Sequence, residues 1–371
     1  MLCIRFPLYG YSIEGNCEES VLKKEKNCKD FLKNQRRLIK IGQFLDVPGS
    51  ILLSDRKIYQ IERLDIIGRV ERVIKMEINE KLQERLERFR KEYPVAEEVK
   101  ARLTVPSMPF YGTEILNRAV TALLEGENLL LCGDKATGKN VLAENLAWIF
   151  GRPVYNISFH VNTDSSSLIG TDTFVNNEVT LRKGPVYQCA VYGGFGILDE
   201  INMAKNDAVS VLHATLDYRR VIDVPGYERI SLHPAARFIG TMNYGYAGTK
   251  ELNEALVSRF LVINMPPLSM EILHRILGNL FPAARKEMLE QFAGLFLDLQ
   301  LKAQNGEIST KAVDMRGLIG AVRLMQGGLS PLEAIDMGIT NKCFDGFERE
   351  LIGDIVMTRI PDSWSCGDVF L

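Results

Sequence analysis

The chain has 371 residues, 46% of them apolar and 25% charged, which is enough for two or three compact domains, each with its own core. A formal net charge of −2 excludes a global positive field that would pull the chain towards nucleic acid or an anionic membrane, and leaves room only for a local basic face. Seven cysteines with no CxxC pair exclude a disulfide framework or a paired-cysteine zinc site, and read as reduced thiols in a cytoplasmic protein.

Residues 1–105 read as a small α+β N-terminal domain with no chemical motif. Its first apolar stretch is interrupted by Arg5 and Pro7, unlike a signal peptide. No run approaches the roughly 18 apolar residues of a membrane span. Asp46–Ser50, between Ile41–Leu45 and Ile51–Leu53, predicts a turn joining two short strands. The Lys23–Lys33 stretch reads as a solvated face. Ile78, Leu82, Leu86, Phe89 and Tyr93 recur at helical spacing, and Pro94 stops the run. A packing helix of the N-terminal domain follows from that pattern, with Glu84/Arg88 and Glu87/Lys91 on its outer side; a partner-docking or coiled helix is the alternative.

Residues 106–267 switch to short apolar runs alternating with helical segments, the pattern of an α/β domain with a parallel sheet and helices on its faces. The predicted strands are Leu129–Cys132, Val154–Phe159, Phe195–Leu198, Arg237–Met242 and Phe260–Met265. Residues 268–371 are predicted helical, with apolar periodicity around Ile272–Leu280, Phe292–Leu301 and Leu318–Met325.

The first strand runs into Gly133-Asp134-Lys135-Ala136-Thr137-Gly138-Lys139-Asn140, and a helix then opens at Val141 and is stopped by Gly151. Strand, glycine-bearing loop and helix in that order form a phosphate-binding loop. Gly133 and Gly138 allow backbone N–H groups to turn inward, the helix N-terminus adds partial positive charge, and Lys139 reaches the β- and γ-phosphates. Lys135 either contacts a phosphate or faces solvent. A Ser or Thr hydroxyl commonly ligates Mg²⁺ after such a lysine. Here Asn140 supplies an amide oxygen, also a hard ligand but with a different reach, so hydrolysis is more exposed to the change than binding is.

The third predicted strand ends in Asp199-Glu200, fitting a Mg²⁺-associated carboxylate followed by a general base for the attacking water. The fourth ends in Asn243, placed to hold that water or to start a turn with Tyr244-Gly245. Arg259 precedes the fifth strand, where an arginine can project into a neighbouring subunit's nucleotide, or simply lie on the surface. His160, His213, His233 and His274 have no ligand spacing and read as structural.

These elements, in this order, resemble AAA+ ATPases. Ser167–Thr171, Gly184-Pro185-Val186, Gly194–Ala204, Leu212–Ile222, Pro225-Gly226, Thr241-Met242-Asn243 and Leu252–Leu256 narrow the resemblance to the MoxR branch. NorQ- and CbbQ-type activases belong to that branch, and the dynein- and McrB-related modules are relatives. The resemblance covers about residues 106–329.

It implies a five-stranded P-loop NTPase core, a C-terminal helical lid, ATP and Mg²⁺ as ligands, and a homo-oligomeric ring, by family habit a hexamer. It also implies a β-hairpin within Thr171–Lys183 that engages a client protein at the pore, often beside a von Willebrand factor A-domain protein. A lid arginine senses the γ-phosphate; Arg316 fits that role, with Lys311 as competitor. The leading expectation is an ATP-hydrolysing remodeller. The rivals are a nucleotide-binding scaffold with negligible hydrolysis, motivated by Asn140, and a nucleic-acid motor, which the charge and the lack of basic–aromatic clusters disfavour.

Overall fold

A computed structural model describes residues 68, 71–73, 76–223, 227–243 and 252–370, all within one compact unit, Gly68–Leu371. The turn expected at Asp46–Ser50 and the Lys23–Lys33 stretch lie outside the described residues.

Strands β1 (Leu129–Gly133), β2 (Val154–Ser158), β5 (Phe195–Asp199), β8 (Arg237–Asn243) and β9 (Leu261–Asn264) form one parallel sheet in the order β2-β5-β8-β1-β9. This is the expected five-stranded P-loop NTPase core. Central strands of a parallel sheet are covered on both faces, so they read as continuous apolar runs, and all of β1 is buried. The edge strand β9 is one residue shorter at each end than predicted, and Leu261 and Val262 are 48% and 46% exposed.

One face of the sheet is covered by α1 (Glu80–Glu92), α2 (Thr113–Leu124) and α3 (Lys139–Phe150). Asn79 caps α1 by accepting from Leu82 N at 2.9 Å, and Leu82, Leu86 and Phe89 are its buried stripe. The packing helix is therefore present. Although it lies in the 1–105 zone, its partner is the core: Phe89 meets Phe150 of α3 edge-on at 5.1 Å, and Phe150 meets Phe195 of β5 at 5.1 Å. Glu84, Glu87, Arg88 and Lys91 are exposed as expected. Past α1, the buried Arg152 donates to Gly193 O at 2.7 Å, Tyr93 O at 2.5 Å and Tyr192 O at 3.0 Å, so each guanidinium nitrogen has an acceptor.

Phe150→Ala removes the ring that joins helix to helix to sheet. We expect a loss of about 3–5 kcal/mol in urea unfolding, the usual cost for a fully buried aromatic. A loss below about 1 kcal/mol contradicts this packing role.

The opposite face carries α4 (Pro185–Tyr192), whose Val186 and Cys189 pack with Leu198 and Phe238. Between β2 and α4 stands the expected hairpin, β3 (Gly170–Val175) paired antiparallel with β4 (Glu178–Lys183). Its two turn residues, Asn176 and Asn177, both have positive φ (51° and 68°), the conformation of a two-residue hairpin turn that asparagine tolerates. Phe174 and Val179 face each other in register and are 71% and 63% exposed. A second, shorter hairpin, β6 (Val221–Ile222) with β7 (Ile230–Ser231), was not foreseen. Tyr227 beside it donates to Asp172 Oδ1 of the first hairpin at 2.7 Å.

The helical C-terminal part contains α5 (Met270–Leu280), α6 (Lys286–Gln304), α7 (Met315–Gln326), α8 (Pro331–Gly338) and α9 (Gly346–Arg359) around their own core of Leu277, Phe292, Phe296, Leu318, Val322 and Ile352. At the α7–α8 crossing a Cβ on Gly317 would sit 2.0 Å from Gly338 O, so only glycine permits that approach. Glu77, 5% exposed, ties this lid to the core: its carboxylate accepts from Arg275 of α5 at 2.6 Å and from Thr113 of α2. No helix among the described residues is long and apolar enough to cross a membrane.

Candidate functional site

The site begins where β1 ends. Gly133 has φ +153°, and a Cβ there would lie 2.8 Å from Met265 O, so the chain leaves the sheet through a gap no larger residue fits. Ala136 (φ +64°) and Gly138 (φ +86°) turn the loop back, in the left-handed conformations that build an anion-binding nest, and α3 starts at Lys139.

Lys139 is 7% exposed and folds onto its own loop, donating to Gly133 O at 2.9 Å and Asp134 O at 2.7 Å. Burial pushes its ammonium down from 10.5 to about 8, against the pull of Asp134 and, more weakly, Asp199 and Glu200. Between those two values the unfolded chain holds a proton that the folded chain has released. The nucleotide-free protein is therefore expected to gain stability as pH rises through that window. Its urea midpoint should climb from about pH 7.5 to about pH 9.5, and Lys139→Met should flatten the climb. An equal slope in the variant assigns the titration to another group.

The sheet register brings the remaining groups alongside. Gly133 of β1 is level with Asn243 of β8, and Leu198 of β5 with Gly240 of β8, so Asp199, Thr241 and Asn243 end their strands beside the loop. Thr241 Oγ1 donates to Asp199 Oδ1 at 2.6 Å and accepts from Glu200 N at 3.1 Å. Asn140 Nδ2 donates to Asp199 Oδ2 at 3.1 Å. Asn243 Nδ2 reaches Glu200 Oε1 at 3.5 Å, and Asn202 Nδ2 holds Asn243 O at 3.1 Å. Glu200 itself has φ +54°, an uncommon conformation outside glycine that turns it off the strand end.

Asp199, Glu200, Asn243 and Asn140 therefore form one hydrogen-bonded cluster at the phosphate loop. With its NH₂ on Asp199, Asn140 keeps its carbonyl Oδ1 for a cation, and each Asp199 oxygen retains acceptor capacity. Hard oxygens of this kind fit Mg²⁺. Two members were not anticipated. Thr241 is 1% exposed, and a hydroxyl inside an apolar strand was the available signal. Asn202 lies after the acidic pair in the Gly194–Ala204 run, which carries the resemblance without assigning this residue a role.

The lid meets the loop through Lys135, whose Nζ lies 3.5 Å from Thr310 O. Arg316, exposed in the first turn of α7, acts on Glu144 of α3, whose carboxyl burial raises and Arg316 partly restores. Lys311 acts instead on Glu348 and Cys343 within the lid. Above the loop, Asn145 of α3 clips a further segment, accepting from Phe110 N at 3.1 Å and donating to Met108 O at 2.9 Å. Met108, Ala136 of the loop, Leu268 and Ile272 all border the lid core. Arg259 has no contact with this cluster. It donates from Nε to His213 O at 3.1 Å, and its NH2 lies 3.6 Å from Asp217. Among the described residues no group of three or more His, Cys, Asp or Glu is arranged to hold a metal.

A phosphate cradle, an acidic pair on the neighbouring strand ends and a helical lid at the same end of one parallel sheet define a P-loop nucleotide-binding protein. The comparisons with known proteins refine this. A model of the AAA domain, dynein-related subfamily, matches residues 128–260. The uncharacterized protein YojN of Bacillus subtilis (strain 168) is 32% identical over 284 residues, spanning 75% of this chain and 93% of that protein. An uncharacterized protein of Staphylococcus saprophyticus is 32% identical over 245 residues, 64% of this chain and 92% of its own length. The crystal structure of a candidate ATPase from Cytophaga hutchinsonii is similar at 17% identity over 76% of this chain and 97% of that one, with a TM-score of 0.38. The chain belongs to the dynein-related AAA family, and is an ATP-binding AAA protein.

Proposed function

We propose that this protein is an ATP-hydrolysing AAA+ remodeller of the MoxR branch, acting in the cytoplasm as a ring of identical subunits, a hexamer by family habit. The observation that carries the proposal is the network linking Asn140, Asp199, Thr241, Glu200 and Asn243 beside Lys139. It holds a base, a water-orienting amide and a buried cation in one place.

ATP phosphates entering the loop take Lys139 from the carbonyls of Gly133 and Asp134, and the favourable charge is strengthened by its burial. Asp199 and Asn140 would hold Mg²⁺, which when bound neutralises charge on the β- and γ-phosphates. Glu200 accepts the proton of a water attacking the γ-phosphorus, and Asn243 orients that water as the bond to ADP breaks. The apolar side chains of Met108, Ala136, Leu268 and Ile272, which border the lid core, suit the base. Arg316 on the P-loop side of the lid supports its role, rather than Lys311, as the γ-phosphate sensor. Arg259 lies away from its own loop, which supports its serving the nucleotide of the adjoining copy. The Phe174–Val179 pair at the hairpin tip gives a client an apolar grip, and a von Willebrand factor A-domain protein is the family's usual companion.

The test is steady-state ATP hydrolysis with Mg²⁺ at several protein concentrations. We expect turnover per subunit to rise with concentration as sites complete between copies. ATP binding without turnover in an assembled, Mg²⁺-replete sample favours the scaffold reading. That reading has one specific observation behind it, the amide of Asn140 where a hydroxyl is usual, and recovery of turnover in Asn140→Thr then establishes the cause.

A further inference from the structure

Asp217 follows the helical turn His213–Leu216 and meets two arginines. Arg219 occupies both carboxylate oxygens: its backbone N reaches Oδ1 at 2.9 Å, Nε reaches Oδ1 at 3.1 Å and Oδ2 at 3.0 Å, and NH2 reaches Oδ2 at 2.7 Å. Arg259 stands off at 3.6 Å from Oδ2, beyond hydrogen-bond range. Its donated bonds go to main-chain carbonyls, from Nε to His213 O at 3.1 Å and from NH1 to Ala255 O. The Asp217 and Arg259 side chains are 13% and 20% exposed, and Arg219 is 45% exposed at the surface.

A carboxylate's preferred partner is a guanidinium fork presenting two parallel N–H groups. One carboxylate takes one such fork side-on across both oxygens, and Arg219 fills that place, so Arg259 keeps only a long ion pair with Oδ2 at 3.6 Å. Remove Arg219, and the nearest cation to the freed oxygens is Arg259. A closed fork between Asp217 and Arg259 in a site this sheltered would hold that arginine inside its own subunit and cancel its charge. His213, the other titratable group at this turn, is pushed towards its neutral form by burial and by Arg259, so it brings no competing charge.

We propose that Arg219 is a positioning residue: by holding both Asp217 oxygens side-on it keeps the Asp217–Arg259 contact a long ion pair instead of a closed fork, and so leaves Arg259 available to the nucleotide of the adjoining copy. The inference rests on the reading of Arg259 as acting between subunits. Arg219 touches no reacting atom in this account.

The experiment compares the full chain with Arg259→Ala, Arg219→Gln, Arg219→Lys and the double variant Arg219→Gln/Asp217→Asn. Each is measured for kcat at saturating protein and ATP, for affinity towards a fluorescent ATP analogue, and for assembly by mass photometry. Arg219→Gln is expected to lower kcat about tenfold with nucleotide affinity unchanged, and the added Asp217→Asn to restore kcat to within about twofold. Arg219→Lys, a point charge that cannot cover both oxygens, should fall between them. If Arg219→Gln fails to assemble, Arg219→Lys with and without Asp217→Asn makes the same comparison. Unchanged kcat in the Arg219 variants, or a loss that Asp217→Asn does not restore, overturns the inference. Normal turnover in Arg259→Ala instead overturns the reading beneath it.

Discussion

Replacing Glu200 by Gln is expected to lower ATP turnover by about a hundredfold or more while nucleotide affinity stays within about threefold. The substitution is nearly isosteric. A glutamine at this place keeps the backbone N–H bond to Thr241 and still offers an oxygen to Asn243 Nδ2, so the cluster's geometry survives. The positive φ of 54° is no harder for Gln than for Glu. On the proposed reading, what disappears is the acceptor for the water's proton. Phosphate release and binding of a fluorescent analogue, measured on the same assembled sample, separate the two effects. Turnover within about tenfold of the unaltered protein means that the proton goes elsewhere.

The second large effect is expected on binding. Lys139→Ala should weaken ATP about a hundredfold or more, since it removes the one side-chain cation buried in the loop. Below pH 8 the same substitution should not destabilise the nucleotide-free protein. There Lys139 is a largely desolvated charge whose bonds go to two main-chain carbonyls and, at 3.4 Å, the Thr137 hydroxyl, with no carboxylate directly on it. A residue that costs stability when the site is empty and binds when it is full is one held for its ligand. Isothermal titration with ATP and urea unfolding without it give both numbers. A variant that binds ATP normally removes Lys139 from the phosphate site.

Much of this was legible because the chemistry sits on regular elements. Five apolar runs mark five strands, since central parallel strands are buried on both faces and need no alternation. Gly133, Gly138 and Gly151 stand out because each sits where the chain takes positive φ. Asp199, Glu200 and Asn243 could be placed at strand ends before their neighbours were known. Other features depend on register or on pairing across long separations, and no local pattern carries them. Thr241 matters because β8 lies beside β5, which puts its hydroxyl on Asp199. The Asn145 clip on Met108 and Phe110 spans 35 residues or more, and the Glu77–Arg275 tie spans 198. The outer charges of α1 are exposed as expected, yet Arg85 of this helix pairs with Glu125, the residue after α2, a partner that helical spacing alone does not reveal. Assigning α1 to the zone ahead of the core followed from the absence of a motif, while its buried stripe fits the face of α3.

The claim that ATP is turned over at a site shared by two copies is tested most directly by mixing two inactive variants. Arg259→Ala keeps its own loop, base and lid; Lys139→Ala keeps its arginine. If the site is shared, a mixed assembly contains junctions where an intact loop faces an intact Arg259, and about a quarter of the junctions in a random equal mixture are of this kind. Turnover, nearly absent in each variant alone, is expected to return in the mixture to a sizeable fraction of that share. A mixture no more active than its components, with assembly confirmed, contradicts it and places the whole catalytic set within one chain.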